Sequence, residues 1–172
     1  MNVSSNPRCA VLGYGSWATA IVKTLTVNHH HVNWLVLNND IFESLTTLSR
    51  NTKYLPWCYI DRDYITPSKD INEVVRGVDV VFLAMPSAFL TKFLEPLKES
   101  LADKIVVSAV KGIIPGDYLT IVEHMNRYYD VPMENLAVVT GPSHAEEVGQ
   151  CQLSYLTVAS ESLTTAERVR NV

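Results

Sequence analysis

The sequence has few cysteines, little positive charge and no long hydrophobic run, and each shortage excludes a class of protein. Its three cysteines, Cys9, Cys58 and Cys151, are odd in number and widely spaced, which indicates neither a disulfide framework nor a zinc site. Lysine and arginine total 14 against 18 acidic residues, and they form no basic cluster, which argues against nucleic acid as a partner. No run approaches the roughly 18 to 20 apolar residues of a membrane span, and no signal-peptide pattern is present. We therefore expect a soluble, cytoplasmic protein.

What is present is enough apolar sequence for one sizeable domain, since 47% of the 172 residues are hydrophobic and only 19% are charged. Apolar, β-branched runs alternate with stretches long enough for helices. The runs cover residues 10–12, 32–37, 78–84, 105–110, 136–139 and 156–159. This alternation predicts an α/β fold, a Rossmann-like, doubly wound and mostly parallel sheet with helices on both faces. The run at 78–84 is apolar almost throughout, so we expect it to lie centrally.

Helix starts are predicted where a capping residue precedes a glutamate by three positions, the spacing of a capping box. This spacing occurs at Asp40, Asp70, Ser143 and Thr164. Residues 51–68 contain two prolines and several aromatic residues, which is typical of a long connection with at most a short strand.

The first apolar run leads into a Gly-x-Gly-x-x-Ala pattern formed by Gly13, Gly15 and Ala18. Such a turn between a strand and a helix is suited to a pyrophosphate, because the chain can turn tightly and the helix presents free N–H groups to the anion. The pattern is short, and a plain tight turn remains an alternative at this point.

Three later strands end in residues that would face the same edge of the sheet. Pro86 closes the central strand and Ser87 is placed to cap the following helix. Lys111 follows the next strand, and Gly141 and Ser143 follow the one after. Ligands of doubly wound sheets bind at this edge, so the Lys111 ammonium is placed to contact an oxygen that gains charge during hydride transfer. Each residue also has an explanation that involves no ligand. Pro86 could only close a turn, Lys111 could be a solvated surface charge, and Ser143 could only cap a helix.

The end of the second run bears on the choice of cofactor. An acidic residue at this position binds the ribose of NAD, and a basic residue accommodates the extra phosphate of NADP. Leu37 and Asn38 carry no charge, and Asp40 is expected to cap the following helix. The sequence leaves NAD and NADP open, with a slight lean to NAD because no arginine is present here.

The run His29-His30-His31 is the one sequence feature that suggests a metal. Adjacent residues in a loop point in different directions, so a solvated turn is expected and no metal is assigned.

Together these motifs resemble a known family. The motifs are Gly-Tyr-Gly-Ser-Trp-Ala at 13–18, Asn-Thr-Lys-Tyr-Leu-Pro at 51–56, Ala-Met-Pro-Ser at 84–87, Val-Lys-Gly-Ile at 110–113 and Thr-Gly-Pro-Ser-His-Ala-Glu-Glu-Val at 140–148. Their order is similar to that in the N-terminal domain of bacterial NAD(P)-dependent glycerol-3-phosphate dehydrogenase. The resemblance covers essentially the whole chain.

The resemblance implies oxidation of sn-glycerol 3-phosphate to dihydroxyacetone phosphate and the reverse reaction, which feeds phospholipid synthesis. Matched by motif, Ser16, Trp17 and Ala145 would contact the cofactor. Gly13, Gly15 and Pro86 complete the predicted cofactor site. Gly141 and Ser143 would contact the substrate, and Lys111, the predicted catalytic residue, would contact both. The departures at Ala18, Leu37, Thr140 and His144 are mild, although Leu37 replaces a frequent basic residue.

In that family the general acid-base lysine and the residues that grip the substrate phosphate belong to a helical C-terminal domain. We expect residues 1–172 to form the dinucleotide-binding domain alone, because the last helix starts at Thr164 and the sequence stops at Val172 without a C-cap. Such a chain would bind the cofactor but turn over little substrate. The full-length protein is expected to form a homodimer.

Two other functions stay open at this point. The chain could be the cofactor domain of another two-domain dehydrogenase, of the ketopantoate reductase or hydroxyacid dehydrogenase type, or a non-catalytic nucleotide-sensing module. All readings that involve a cofactor require the glycine turn and Lys111 to converge on one site.

Overall fold

The structure, a computed structural model, describes residues 6–172, so residues 1–5 of the predicted 1–172 domain lie outside the described part. Seven strands form one sheet: β1 (Cys9–Leu12), β2 (Val32–Leu35), β3 (Ile65–Ser68), β4 (Val80–Leu83), β5 (Ile105–Ser108), β6 (Leu136–Thr140) and β7 (Thr157–Ala159). The helices are α1 (Ser16–Val27), α2 (Asn39–Leu48), α3 (Ile71–Val75), α4 (Leu90–Leu94), α5 (Ile121–Tyr129), α6 (Ala145–Gly149) and α7 (Leu163–Arg170).

The strand order is β3-β2-β1-β4-β5-β6-β7, and the first six strands in this order are parallel. Only β7, at one edge, is antiparallel to its neighbour β6. The chain therefore starts near the middle, winds outward to β3, returns to β4 and winds outward the other way, which confirms the predicted doubly wound fold. The position of β4 in the middle of the order confirms that the run at 78–84 is central.

The sheet is covered on both faces, as the fold prediction requires. Successive side chains of a strand point to opposite faces, and every residue of β1 is fully buried. Cys9 and Val11 belong to one apolar cluster, which includes residues of α1, whereas Ala10 and Leu12 belong to a second cluster, which includes residues of α3, α4 and α5. Burial on both faces explains why the central strands are uniformly apolar in sequence.

The connection at 51–68 contains the expected short strand, β3, preceded by a 3-10 helix at Arg62–Tyr64. Strand β3 pairs in parallel with β2 and forms the second edge of the sheet. Pro67 is accommodated there because an edge strand has one row of N–H groups that need no partner in the sheet.

The predicted helix caps were partly wrong. Asp70 does cap α3, since its Oδ1 accepts from the backbone N–H of Asn72 at 2.8 Å. The cap of α2 is Asn38 rather than Asp40, because the side-chain oxygen of Asn38 accepts a hydrogen bond from the Ile41 N–H at 3.0 Å. Likewise Ser162, not Thr164, caps α7. In both cases a residue two positions earlier has the extended backbone that a cap requires.

Within residues 6–172, no helix has both the length and the apolar character needed to cross a lipid bilayer.

Candidate functional site

A cavity of about 850 Å³ opens at the edge of the sheet where the parallel strands end. The first turn of α1 and the loops after β4, β5 and β6 surround it, because the carboxyl ends of parallel strands meet at one edge. Its lining includes nearly all of the predicted site residues, namely Gly15, Ser16, Trp17, Pro86, Lys111, Gly141, Ser143 and Ala145. The structure thus brings the glycine turn and Lys111 together, as the sequence interpretation requires.

Gly13 is the one predicted site residue that does not line the cavity, and its role is structural. It has a φ of +122°, and a Cβ atom on it would overlap the backbone carbonyl of Ala84 at the end of β4. Glycine is therefore required here both for the backbone conformation and for the close approach of two chain segments.

Gly15 differs from Gly13 in both respects. Its φ of −77° is open to any residue, and a Cβ atom on it would have no neighbour within 4 Å. Gly15 itself lines the cavity. A bare backbone at this point leaves room for a group outside the protein to approach the chain.

The N-terminus of α1 has no side-chain group that competes with an anion for its N–H donors. Gly15 is the N-cap residue and supplies no side-chain hydrogen bond, and the first turn of this 12-residue helix has no acidic residue. The first N–H groups of a helix lack partners within it and lie at the positive end of its dipole. These donors and the open space beside Gly15 fit a pyrophosphate.

Two buried residues that the sequence interpretation missed hold the glycine turn. The indole Nε1 of Trp34 donates to the carbonyl oxygen of Gly13 at 2.7 Å. The side-chain amide of Asn51 donates to the carbonyl of Tyr14 and to the hydroxyl of Thr19, each at 2.9 Å. Both side chains are fully buried, so these hydrogen bonds are shielded from water. Asn51 opens the Asn-Thr-Lys-Tyr-Leu-Pro motif, which was a signal for its importance, whereas nothing in the sequence distinguished Trp34.

Lys111 extends from the loop that follows β5 and is exposed. Among residues 6–172, no carboxylate oxygen lies within 4.0 Å of its ammonium group. Its charge is therefore not neutralised by an ion pair in the described part of the chain. The adjacent Gly112 has a φ of +94°, and a Cβ there would lie 3.4 Å from the Ser87 hydroxyl, so the loops after β4 and β5 meet beside Lys111.

The loop after β4 departs from one expectation. Pro86 ends the strand segment and is the N-cap of a 3-10 helix at Ser87–Phe89. Ser87 lies inside this turn, and no side chain caps it, so the suggested capping role of Ser87 is wrong.

The loop after β6 also corrects a prediction. The N-cap of α6 is His144, whose backbone N–H donates to the Glu147 carboxylate at 3.3 Å, so the expected pairing of Ser143 with Glu146 is wrong. The Ser143 hydroxyl has no hydrogen-bond partner in the described part of the chain and lines the cavity. A ligand could therefore use this hydroxyl.

Gly141 is held in place by the segment that follows α6. Its φ is +152°, and a Cβ atom would overlap the backbone carbonyl of Tyr155. Gly141 thus allows Tyr155 to pack against the loop at the rim of the cavity.

The three adjacent histidines do not share a site. His29 Nδ1 lies 3.1 Å from the Tyr64 hydroxyl and His31 Nε2 lies 2.9 Å from the Thr66 hydroxyl. His30 is buried, so the expectation of a solvated turn is wrong for this residue. Across residues 6–172, no group of three or more His, Cys, Asp or Glu side chains is arranged to hold a metal ion.

Comparison with known proteins identifies the family. Residues 8–166 match the model described as the N-terminus of NAD-dependent glycerol-3-phosphate dehydrogenase. The glycerol-3-phosphate dehydrogenase of Halalkalibacterium halodurans, named as NAD(P)+-dependent, is 32% identical over 165 residues, which are 95% of this chain and 47% of that protein. The corresponding protein of Alcanivorax borkumensis is 30% identical over 163 residues. The chain therefore spans about half the length of the curated relatives it matches.

Solved structures support the same fold. Glycerol-3-phosphate dehydrogenase of Coxiella burnetii superposes with a TM-score of 0.82 at 23% identity, over 95% of this chain and 50% of that one. The enzyme of Plasmodium falciparum gives a TM-score of 0.87 at 18% identity, over 96% of this chain and 49% of that one. With the match over residues 8–166, the chain belongs to the NAD-dependent glycerol-3-phosphate dehydrogenase family, of which it represents the N-terminal part.

Proposed function

We propose that this chain binds a nicotinamide dinucleotide, NAD or NADP, as the cofactor-binding half of an enzyme that interconverts sn-glycerol 3-phosphate and dihydroxyacetone phosphate. One observation carries the proposal: the N-terminus of α1, which has no side-chain cap, and Lys111, which has no ion pair among residues 6–172, line a single cavity. The cavity lies in a chain that matches the family over residues 8–166, which favours this activity over the ketopantoate reductase, hydroxyacid dehydrogenase and nucleotide-sensing alternatives.

The first turn of α1 would bind the pyrophosphate. Gly15, Ser16 and Trp17 line the cavity, and the free N–H groups at this helix end can donate to phosphate oxygens. Ala145 and Pro86 line the same cavity from two other loops and would bound the cofactor site. Gly13 contributes indirectly, because it lets the turn pack against the end of β4.

Lys111, Gly141 and Ser143 would form the substrate side of the site. The nicotinamide ring supplies or accepts the hydride when the cofactor is bound. The Lys111 ammonium can donate to the substrate oxygen and stabilise negative charge that develops there. The Ser143 hydroxyl, which lines the cavity, can form a further hydrogen bond that orients the substrate. Gly141 would contribute its backbone, since its side-chain position is closed by the Tyr155 carbonyl.

The length of the relatives suggests what this half lacks. Because the chain spans about half of each curated relative, we propose that the general acid-base group and the phosphate-binding residues lie in a helical C-terminal domain. Residues 1–172 alone would then bind the cofactor with negligible turnover of dihydroxyacetone phosphate. The homodimer, the cytoplasmic location and the absence of a nucleic-acid partner stay predictions.

The sharpest test is Gly15→Asp. An aspartate at the N-cap accepts hydrogen bonds from the first turn of a helix, so the free energy of unfolding should stay equal or rise by about 0.5 to 1 kcal/mol. The open space beside Gly15 accommodates the new side chain. The same carboxylate occupies the N–H groups and repels a pyrophosphate, so affinity for NADH and NADPH, measured by calorimetric titration, should fall by about a hundredfold or more.

Ser162→Asp is the matched control, because it adds the same charge at the N-cap of α7. It should leave dinucleotide affinity unchanged. Failure of the unsubstituted chain to bind either dinucleotide, or equal binding by the Gly15→Asp variant, would contradict the proposed site. Rapid NADH oxidation by this chain with dihydroxyacetone phosphate would contradict only the claim that the acid-base group lies elsewhere.

A further inference from the structure

The carboxyl end of β2 carries no charge of its own, but the neighbouring strand supplies a cation. Leu35 pairs with Ser68, and the Val36 N–H still donates to the Ser68 carbonyl at 2.9 Å, so the loops after β2 and β3 leave the sheet side by side. Lys69 is the first residue after β3. Its ammonium group lies 2.6 Å from the side-chain oxygen of Asn39, the first residue of α2.

The Lys69 ammonium is held over the first turn of α2. It lies 5.0 Å from the centre of the Phe42 ring, a distance at which a cation is attracted to an aromatic face. Its hydrogen-bond partner is a neutral amide, and within residues 6–172 no carboxylate oxygen lies within 4.0 Å of it. The positive charge is therefore positioned but not neutralised by an ion pair.

Four acidic residues belong to α2 or to the start of α3, the helices that follow β2 and β3. Asp70 accepts from the Asn72 N–H at 2.8 Å, and Glu73 accepts from the Ser68 hydroxyl at 2.8 Å. Asp40 is the second residue of α2 and belongs to its first turn, which Asn38 caps. Glu43 lies one helical turn further along α2. Residues 36–39, which lead from β2 to the first residue of α2, therefore include no carboxylate.

The end of β2 is where a doubly wound fold binds the adenosine ribose. A carboxylate at this point accepts hydrogen bonds from the ribose hydroxyls of NAD, whereas a cation attracts the 2′-phosphate of NADP. Leu37 and Asn38 provide no carboxylate for the ribose of NAD, whereas Lys69, which follows the adjacent strand β3, provides a cation. The residues that follow β2 favour NAD slightly because none of them is basic, but the pairing of β3 with β2 brings Lys69 to the same place and favours NADP.

We propose that Lys69 is a specificity-determining residue that binds the 2′-phosphate and makes this chain prefer NADP(H) to NAD(H). The inference rests on the proposed function, since it assumes that the dinucleotide lies along the ends of β1, β2 and β4. Lys69 acts through its charge, and Asn39 and Phe42 hold the ammonium at the strand tip.

The test is calorimetric titration of the chain with NADPH and with NADH at low ionic strength. NADPH should bind about tenfold more tightly, and Lys69→Gln should remove this advantage while changing NADH affinity less than about twofold; a tenfold ratio corresponds to about 1.4 kcal/mol. Lys69→Arg should keep the preference, because it keeps the charge. Raising the salt concentration should reduce the preference of the unsubstituted chain, since salt screens exposed charges.

Arg170→Ala is the matched control. It removes one positive charge from the last turn of α7. This part of the chain lies near the C-terminal end of α1, where Asn28 contacts Val172, whereas the cavity lies at the N-terminal end of α1. It should leave the ratio of the two affinities unchanged. Equal or tighter binding of NADH by the unsubstituted chain, or an unchanged ratio in Lys69→Gln, overturns this inference and leaves the proposed function standing. Binding of neither dinucleotide overturns both.

Discussion

Replacing Asn51 by alanine should weaken both the fold and cofactor binding, because this buried amide ties the glycine turn to the 51–58 segment. Its Nδ2 donates to the Tyr14 carbonyl and the Thr19 hydroxyl, and its Oδ1 accepts from the Tyr54 N–H at 3.0 Å. The side chain is fully buried, so solvent does not reach the groups that it contacts. All of these hydrogen bonds are lost in Asn51→Ala.

The expected cost follows from the groups left without partners. The Tyr14 carbonyl and the Tyr54 N–H each lose a protein partner, and a buried unpaired polar group costs about 1 to 3 kcal/mol. A water molecule that enters the new space would offset part of this. We therefore expect the free energy of unfolding, measured by urea denaturation, to fall by about 3 kcal/mol.

Dinucleotide affinity should also fall in Asn51→Ala, by about tenfold or more. Tyr14 lies between the two glycines of the turn, so loss of the Asn51 contact can displace the turn, and a displacement of about 1 Å is costly at a binding site. Asn33→Ala is the control. Asn33 donates one hydrogen bond, to the Val74 carbonyl at 3.1 Å, so its loss should cost about 1 kcal/mol and leave cofactor affinity unchanged. A loss of less than about 0.5 kcal/mol in Asn51→Ala, or unchanged cofactor affinity, would refute the reasoning.

Three further predictions concern other parts of the chain. Gly13→Ala should lower the free energy of unfolding by about 3 kcal/mol or more in urea denaturation, because a positive φ and a backbone overlap both oppose the new Cβ; a small change would show that the turn can shift. A thiol reagent should modify exposed Cys151 quickly, whereas Cys9, whose pKa burial raises to about 12, should react only when the chain unfolds; fast reaction of two or more thiols would contradict the burial. Hydrogen bonds from the Thr120 N–H and hydroxyl lower the pKa of the Glu123 carboxyl. The resulting stabilisation is present above the unfolded pKa of about 4.3 and is lost as pH falls through the folded pKa. Glu123→Gln should therefore reduce the dependence of the free energy of unfolding on pH at acid pH. An unchanged dependence would contradict this prediction.

The fold could be predicted from sequence because its strands are buried on both faces. Burial on both sides requires an apolar residue at nearly every position, which marks β1, β4 and β5 directly in the sequence. Strand β3 lacks this signal, since only Ile65 of its four residues is buried and the strand contains a proline. It was therefore expected only as a short strand within a connection.

Helix caps were harder to predict, because capping depends on backbone conformation rather than on residue type alone. Near α2 both Asn38 and Asp40 are good capping residues, and only the extended backbone of Asn38 decides between them. The capping box of α5, between Thr120 and Glu123, is not among those predicted from the sequence. A spacing of three residues occurs too often by chance to identify the cap by itself.

The site shows the same division between local and long-range information. Residues at strand ends, such as Lys111 and Ser143, could be proposed from sequence because the topology brings all strand ends to one edge. The parts played by Trp34, Asn51 and Lys69 could not, since each depends on contacts between segments far apart in the chain. Trp34, for example, meets Gly13 across 21 positions of sequence. Sequence therefore identified residues that line the cavity, and the structure was needed to find the contacts that support it.

The two glycines of the first turn illustrate why a motif alone does not separate folding from binding. Gly13 is required by a positive φ and by the carbonyl of Ala84, whereas Gly15 has an ordinary φ and open space beside it. A protein that needed only a tight turn would have no reason to leave position 15 bare, since a serine or aspartate there would cap α1 and stabilise the helix. The absence of such a cap costs stability in this chain, and a bound anion at the same N–H groups would restore it. Addition of a dinucleotide should therefore raise the melting temperature of the unsubstituted chain more than that of Gly15→Asp, in which the carboxylate already occupies the site.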